Sequence, residues 1–161
     1  MPEQPPYRAY ATIVGTFLAG LGAVSGIAAA RDRPQQEVSA LELAVLGLAT
    51  FKASRVVSRD KVTSFVREPL VEGHAYEGEE EQPVQTGGMQ QALGELVTCT
   101  RCIGTWIGAG LATTQILAPR TGRLLTSVLA ACALNDFMLA GFAALTSKAN
   151  ELEQHTGGSS D

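Results

Sequence analysis

Charge is scarce in this chain, and that scarcity excludes one class of function at once. Charged residues make up 17% of 161 positions and the net charge is −4, so no basic face is available for nucleic acid. Cysteine is nearly as scarce. Cys99, Cys102 and Cys132 are the only three, too few for a secreted scaffold stapled by disulfides. Nor does the chain contain a Walker-type loop, a Gly-x-Ser-x-Gly elbow, a His-Glu-x-x-His helix or a dinucleotide fingerprint, so no familiar catalytic apparatus can be assigned.

Long uncharged runs take the place of these features. Residues 9–30 hold no charged side chain, nor do residues 102–119, and residues 124–147 hold one, Asp136. An apolar run of about 18 residues is long enough to cross a bilayer as a helix. Mean hydropathy is +0.11, high for a soluble domain. Many of the 17 glycines fall inside these runs, where a membrane helix tolerates them. The expected fold is all-α: a polytopic helical bundle with four transmembrane helices over 9–30, 41–58, 96–118 and 124–147. The second is the most polar of the four, since Glu42, Lys52 and Arg55 fall within it. A polar lead over 1–8, a flexible acidic loop over 59–95 and a disordered tail over 148–161 complete the expected organisation. Arg8 and Ala28-Ala29-Ala30 resemble a cleavable signal, but the first run is long for one and three further apolar segments follow it. The turn Arg120-Thr121-Gly122-Arg123 is expected to make the last two helices antiparallel neighbours.

Four spans put both termini and the long loop on one side. That side collects eight Lys and Arg against four on the other, which points to cytoplasmic termini and a multi-pass location in the cytoplasmic membrane. The expected surroundings are the lipid bilayer and other membrane subunits, or further copies of the chain.

Asp136, with Asn135 beside it, is the residue least suited to lipid. At 1.5 Å per residue it lies ~18 Å below the outer edge, while Lys52 falls at ~16 Å and Arg55 at ~21 Å. The four therefore read as an intramembrane polar cluster, a buried pairing that fixes helix register or, alternatively, part of an ion path. Cys99 and Cys102, spaced i, i+3, point to one helix face near a helix N-terminus, with Arg101 adjacent. They read in three ways: a redox dithiol, half of a zinc site, or two small packing residues. For zinc, Cys132 lies at a different depth and His74 is the nearer further ligand. Gly22-x-x-x-Gly26 and Gly104-x-x-x-Gly108 allow close helix approach.

Taken in order, Leu48 to Arg55, Arg59-Asp60-Lys61, Arg67-Glu68-Pro69-Leu70 and Gly94-Glu95-Leu96-Val97-Thr98-Cys99 through Trp106 resemble the bacterial domain-of-unknown-function family thirteen-sixty, over roughly residues 43–145. The resemblance implies a small bacterial membrane protein of no established activity, in a family with sporulation-associated members. It also implies one polar cluster of Arg55, Asp60, Arg67, Glu95 and the two thiols at the cytoplasmic face. The expected function is non-enzymatic association, as an accessory subunit of a larger membrane assembly. A membrane thiol protein using Cys99 and Cys102, redox or metal-binding, is the second reading, and a small channel or transporter component the third. No cofactor is required, with zinc the one candidate.

Overall fold

The computed structural model describes residues 5–31, 38–73 and 80–157, with side-chain surroundings described as far as Glu151. Helix α1 (Tyr7–Ala30) begins directly after Pro5-Pro6, and no charged residue interrupts it between Arg8 and its end. Its 24 residues span ~36 Å. Helix α2 (Ala40–Arg59) starts at a capping box. The Glu42 amide donates to Ser39 Oγ at 3.1 Å, and the Ser39 amide donates to Glu42 Oε2 at 3.0 Å. Two of the free donors at that helix end are thereby satisfied. The helix ends where Asp60 turns to an extended conformation, with ψ at 138°.

From Lys61 to Leu70 the chain folds as two 3₁₀ turns flanking a single turn, α3 (Ser64–Arg67). Strands β1 (Val71–Glu72) and β2 (Gln82–Pro83) pair antiparallel, Val71 opposite Pro83 and Glu72 opposite Gln82. Helix α4 (Met89–Thr98) follows, then α5 (Thr100–Leu117) and α6 (Pro119–Gly157). The structure is thus mostly helical, with this short strand pair as an addition to the all-α fold read from the sequence.

Helix α2 lies against both α5 and α6, α5 packs on α6, and α1 rests on α5 and α4. The α2–α5 contact is built from small residues. A Cβ on Gly108 would stand 3.3 Å from Thr50 Oγ1, and one on Gly104 would stand 3.1 Å from Ser54 Oγ. One turn further on, the Ser58 and Thr100 hydroxyls are 2.8 Å apart. The two helices run antiparallel, so Thr50, Ser54 and Ser58 meet Gly108, Gly104 and Thr100 at successive four-residue steps. Small side chains at such spacing let backbones approach closely. Gly22 and Gly26, the other pair read as packing residues, have nothing within 4 Å of an added Cβ.

Between the long helices the buried side chains are small, and many large apolar ones are exposed. Ala49 and Ala133 are wholly covered, Ala92 and Ala130 nearly so, with Ser54, Ser58 and Thr126 beside them. Val14, Leu18, Leu124, Phe137, Met138, Leu139, Phe142 and Leu145 point outward. Among the described residues two helices, α1 and α6, are long and apolar enough to cross a membrane. Helix α2 carries Glu42, Lys52, Arg55 and Arg59, and α5 carries Arg101, Gln115 and four threonines, and neither reaches that measure.

Four segments depart from the expected organisation. The flexible loop expected over 59–95 instead carries, among its described residues, α3 with its flanking turns, the strand pair and the first turns of α4. The single helix expected over 96–118 is broken at Cys99, whose φ of −89° and ψ of 102° are extended, so α4 and α5 meet at a corner. The expected turn at residues 120–123 is instead the first turn of α6, and the chain reverses at Ala118 alone. Pro119 suits the first helical position because its missing N–H is not needed there. Gly122 faces α5 so closely that a Cβ would sit 2.6 Å from the Gln115 backbone. Finally, α6 continues through residues 148–157. That stretch contains no proline and is rich in good helix formers. Residues 1–4, 32–37, 74–79 and 158–161, with part of the acidic run and His74, lie outside the described residues.

Candidate functional site

Asp136 occupies the packed face of α6. Gly122, Thr126, Ala130 and Ala133 are buried at three- and four-residue steps before it, so helical geometry carries Asp136 onto the side that meets α2. There its Oδ2 lies 2.8 Å from Lys52 Nζ, with 40% and 22% of the two side chains left uncovered. Phe51, the residue before Lys52, and Phe137, the residue after Asp136, stack with ring centroids 5.2 Å apart and planes 21° apart. The ion pair therefore sits beside an aromatic pair. Arg55 turns away, its guanidinium 5.8 Å from the centroid of Phe51. Asn135 is exposed on α6. Of the four residues read as one cluster, the structure brings Lys52 and Asp136 into contact and leaves Arg55 and Asn135 outside that contact.

Cys99 is the N-cap of α5. Its Sγ accepts the backbone N–H of Cys102 at 3.3 Å, and the two sulfurs are in disulfide contact with their Cα atoms 5.2 Å apart. Cys99 is half-buried, whereas Arg101 and Cys102 are exposed. Cys132 is free and exposed on α6. Among the described residues no group of three or more His, Cys, Asp or Glu is placed to hold a metal ion.

Arg67 organises the polar segment between α2 and α5. It is 1% exposed, and its guanidinium grips Glu81 with two bonds, Nε to Oε2 at 2.7 Å and Nη2 to Oε1 at 3.2 Å. The same group donates to the Val57 carbonyl at 2.7 Å, the Asp60 carbonyl at 3.2 Å and Thr63 Oγ1 at 3.1 Å. Carbonyls at a helix C-terminus have no partner within the helix, and here an arginine supplies one. A planar fork of five donors suits this arrangement as no other side chain does.

A second anchor joins α1 to α4. The Tyr10 hydroxyl donates to Glu95 Oε2. Gln91 Nε2 donates to Glu95 Oε1 at 3.0 Å, and Gln91 Oε1 accepts from the Gly87 amide at 2.8 Å. Gly94 lies between these groups and the strand pair. A Cβ there would stand 2.4 Å from the Leu70 carbonyl oxygen, so only glycine admits that approach. Asp60, through its carbonyl, joins Arg67 in one anchor, Glu95 belongs to the other, and Arg55 and the thiols lie in neither, so the six do not form one cluster. Sequence reasoning missed Glu81 and Gln91. Glu81 ends an acidic run that reads as solvated, and nothing in local spacing links it to an arginine 14 residues away. Trp106, the only tryptophan, meets Phe17 of α1 edge-on with centroids 5.0 Å apart.

These features define a class: a small helical protein with two membrane-length helices, a cross-helix ion pair and a vicinal cysteine pair. The chain belongs to the family described as "Protein of unknown function (DUF1360)", whose model matches residues 45–141. The match takes in both partners of the ion pair, both cysteines, Arg67 and Glu81, and leaves α1 outside. No curated protein and no solved structure matches the chain.

Proposed function

We propose that the chain is a bacterial integral membrane protein of four spans that acts by association, as an accessory subunit of a larger membrane assembly. In this reading α1, α2, α5 and α6 cross the bilayer. Both termini and the segment around Arg67 lie on the cytoplasmic side, as the Lys and Arg distribution favours.

The observation that carries the reading is the distribution of side-chain size. The side chains most fully covered between the long helices are alanine, serine and threonine, while many leucine, phenylalanine and methionine side chains are exposed. In water that arrangement would leave many large apolar side chains exposed to solvent. In lipid it is the expected one, since small residues pack helices and large apolar ones face the chains. The charges of α2 are consistent with a span because Lys52 is neutralised by Asp136. Association is supported by α1, whose half-buried side holds Tyr10, Ile13, Phe17, Val24 and Ala28, with Tyr10 on Glu95 and Phe17 on Trp106, while Gly15, Gly22 and Gly26 stand open on its other side.

Native mass spectrometry of the protein released gently from its own membrane tests the proposal. A complex with another membrane protein, or a defined oligomer, is the expected result. A lone monomer, or recovery in the soluble fraction, would refute it.

A further inference from the structure

We propose that Cys99 and Cys102 form a thiol–disulfide exchange site at the head of α5, in which Cys102 takes the attack of an incoming thiol and Cys99 is the sulfur that leaves. This goes beyond association and does not depend on it. Three observations place the roles. Cys102 is exposed and Cys99 half-buried, so an external thiolate reaches Cys102 first. Cys99 is the N-cap, and its Sγ already accepts the Cys102 backbone N–H. Negative charge released onto that sulfur therefore meets a hydrogen-bond donor and the positive end of an 18-residue helix. A leaving sulfur stabilised in this way departs faster. Arg101, exposed between the two cysteines, adds a cation beside the approach of an anionic nucleophile.

The corner at Cys99 is what makes the sulfur available as a cap. Had 96–118 been one helix, the Cys102 amide would have been taken by the carbonyl of Thr98 and the cap contact would be lost. Thr100 fixes the corner from the other side through its 2.8 Å contact with Ser58 of α2. The pair is thus held on a helix end that the bundle itself positions.

The exchange balances with a thiol or dithiol as reductant. A thiolate RS⁻ attacks Cys102 Sγ, the Cys99–Cys102 bond breaks, and an R–S–S–Cys102 mixed disulfide forms. Cys99 leaves as a thiolate and takes up a proton. A second thiolate attacks the donor sulfur of the mixed disulfide, forming RS–SR and releasing Cys102, which is protonated in turn. Two thiols become one disulfide, and the protein disulfide becomes two thiols. In reverse, Cys102 opens a partner's disulfide and Cys99 resolves it.

The test uses the full-length protein in lipid-detergent micelles, in a Cys132→Ser background, with glutathione as the probe. Opening is followed by alkylation and mass spectrometry, and compared with an oxidised peptide of residues 96–106. The folded protein is expected to open about tenfold faster than the peptide, because the peptide lacks the formed helix end. It should close again with oxidised glutathione while its helical circular dichroism is unchanged. Quenching early should find glutathione on Cys102 and the alkyl group on Cys99, and Cys99→Ser exposed to oxidised glutathione should accumulate the Cys102 adduct with release of one glutathione thiol. Opening slower than the peptide would identify a structural clamp and overturn the proposal. So would a pair that stays reduced in oxidised glutathione. Glutathione found on Cys99, or divided evenly, would overturn the assignment of roles.

Discussion

Neutralising one partner of the Lys52–Asp136 pair should destabilise the bundle more than neutralising both. At 2.8 Å and an effective dielectric of about 20, the gross attraction is ~6 kcal/mol. Desolvation of the two ions offsets much of it. Neither side chain is fully covered, so a single change should fall short of the cost of stranding a wholly buried charge. We expect Lys52→Met and Asp136→Leu each to cost about 2 kcal/mol, the double variant about 1, and the coupling to be about 3. Arg55→Leu is the control, because its contact is with Phe51. It should cost at most ~1 kcal/mol and show no coupling to Asp136→Leu. The assay is reversible unfolding in mixed micelles, followed by circular dichroism. A Lys52–Asp136 coupling below about 0.5 kcal/mol, or an equal coupling for Arg55, would refute the assignment of the pair.

Arg67→Met strands Glu81 and the carbonyls at the end of α2, so it should cost about 3–5 kcal/mol, with Arg67→Lys between it and wild type; denaturation midpoints of the purified variants decide. Gly94→Ala drives a methyl group into the Leu70 carbonyl and should cost at least about 1–3 kcal/mol, whereas Gly22→Ala meets open space and should be neutral or slightly stabilising in the monomer. A comparison of the two melting temperatures checks both. Ser39→Ala removes half of the capping box and should cost about 0.5–2 kcal/mol, read as a lower helix content or midpoint, with no change in the opening of the cysteine pair.

The long helices α1, α2 and α6 were legible because hydropathy acts locally, whereas α3 and most of α4 fall in the stretch that reads as a loop. The limits 41–58 for the second helix lie one residue inside Ala40–Arg59 at each end, even though its charges made it the least apolar of the four. The family was legible too, from Arg67-Glu68-Pro69 and Gly94 to Trp106 in order, and its model covers residues 45–141. What local pattern could not carry was the corner at Cys99. The residues around it are apolar enough to read as one continuous helix, and only the packing of α4 on the strand pair and Thr100 on Ser58 shows why it bends. The Arg67–Glu81 grip was illegible for a different reason: both residues look solvated until the chain between them folds back. Depth arithmetic put Lys52 and Arg55 at similar levels to Asp136, but it could not choose between two cations on adjacent turns. Phe51 separates them, since its stacking on Phe137 brings Lys52 to the acid while its ring receives Arg55.

The serine and threonine stripe of α2 has a consequence for how the chain is made. On the four-span reading, α2 emerges from the ribosome carrying Lys52, Arg55 and three hydroxyl side chains, and a lone helix of that kind partitions poorly into lipid. The groups that cover it, Gly104 and Gly108 on α5 and Asp136 on α6, are synthesised some 50–80 residues later. On that reading its entry into the bilayer would wait on helices still to come, and the assembly order would be the reverse of the reading order at this point: the central helix would be seated by the two that follow it.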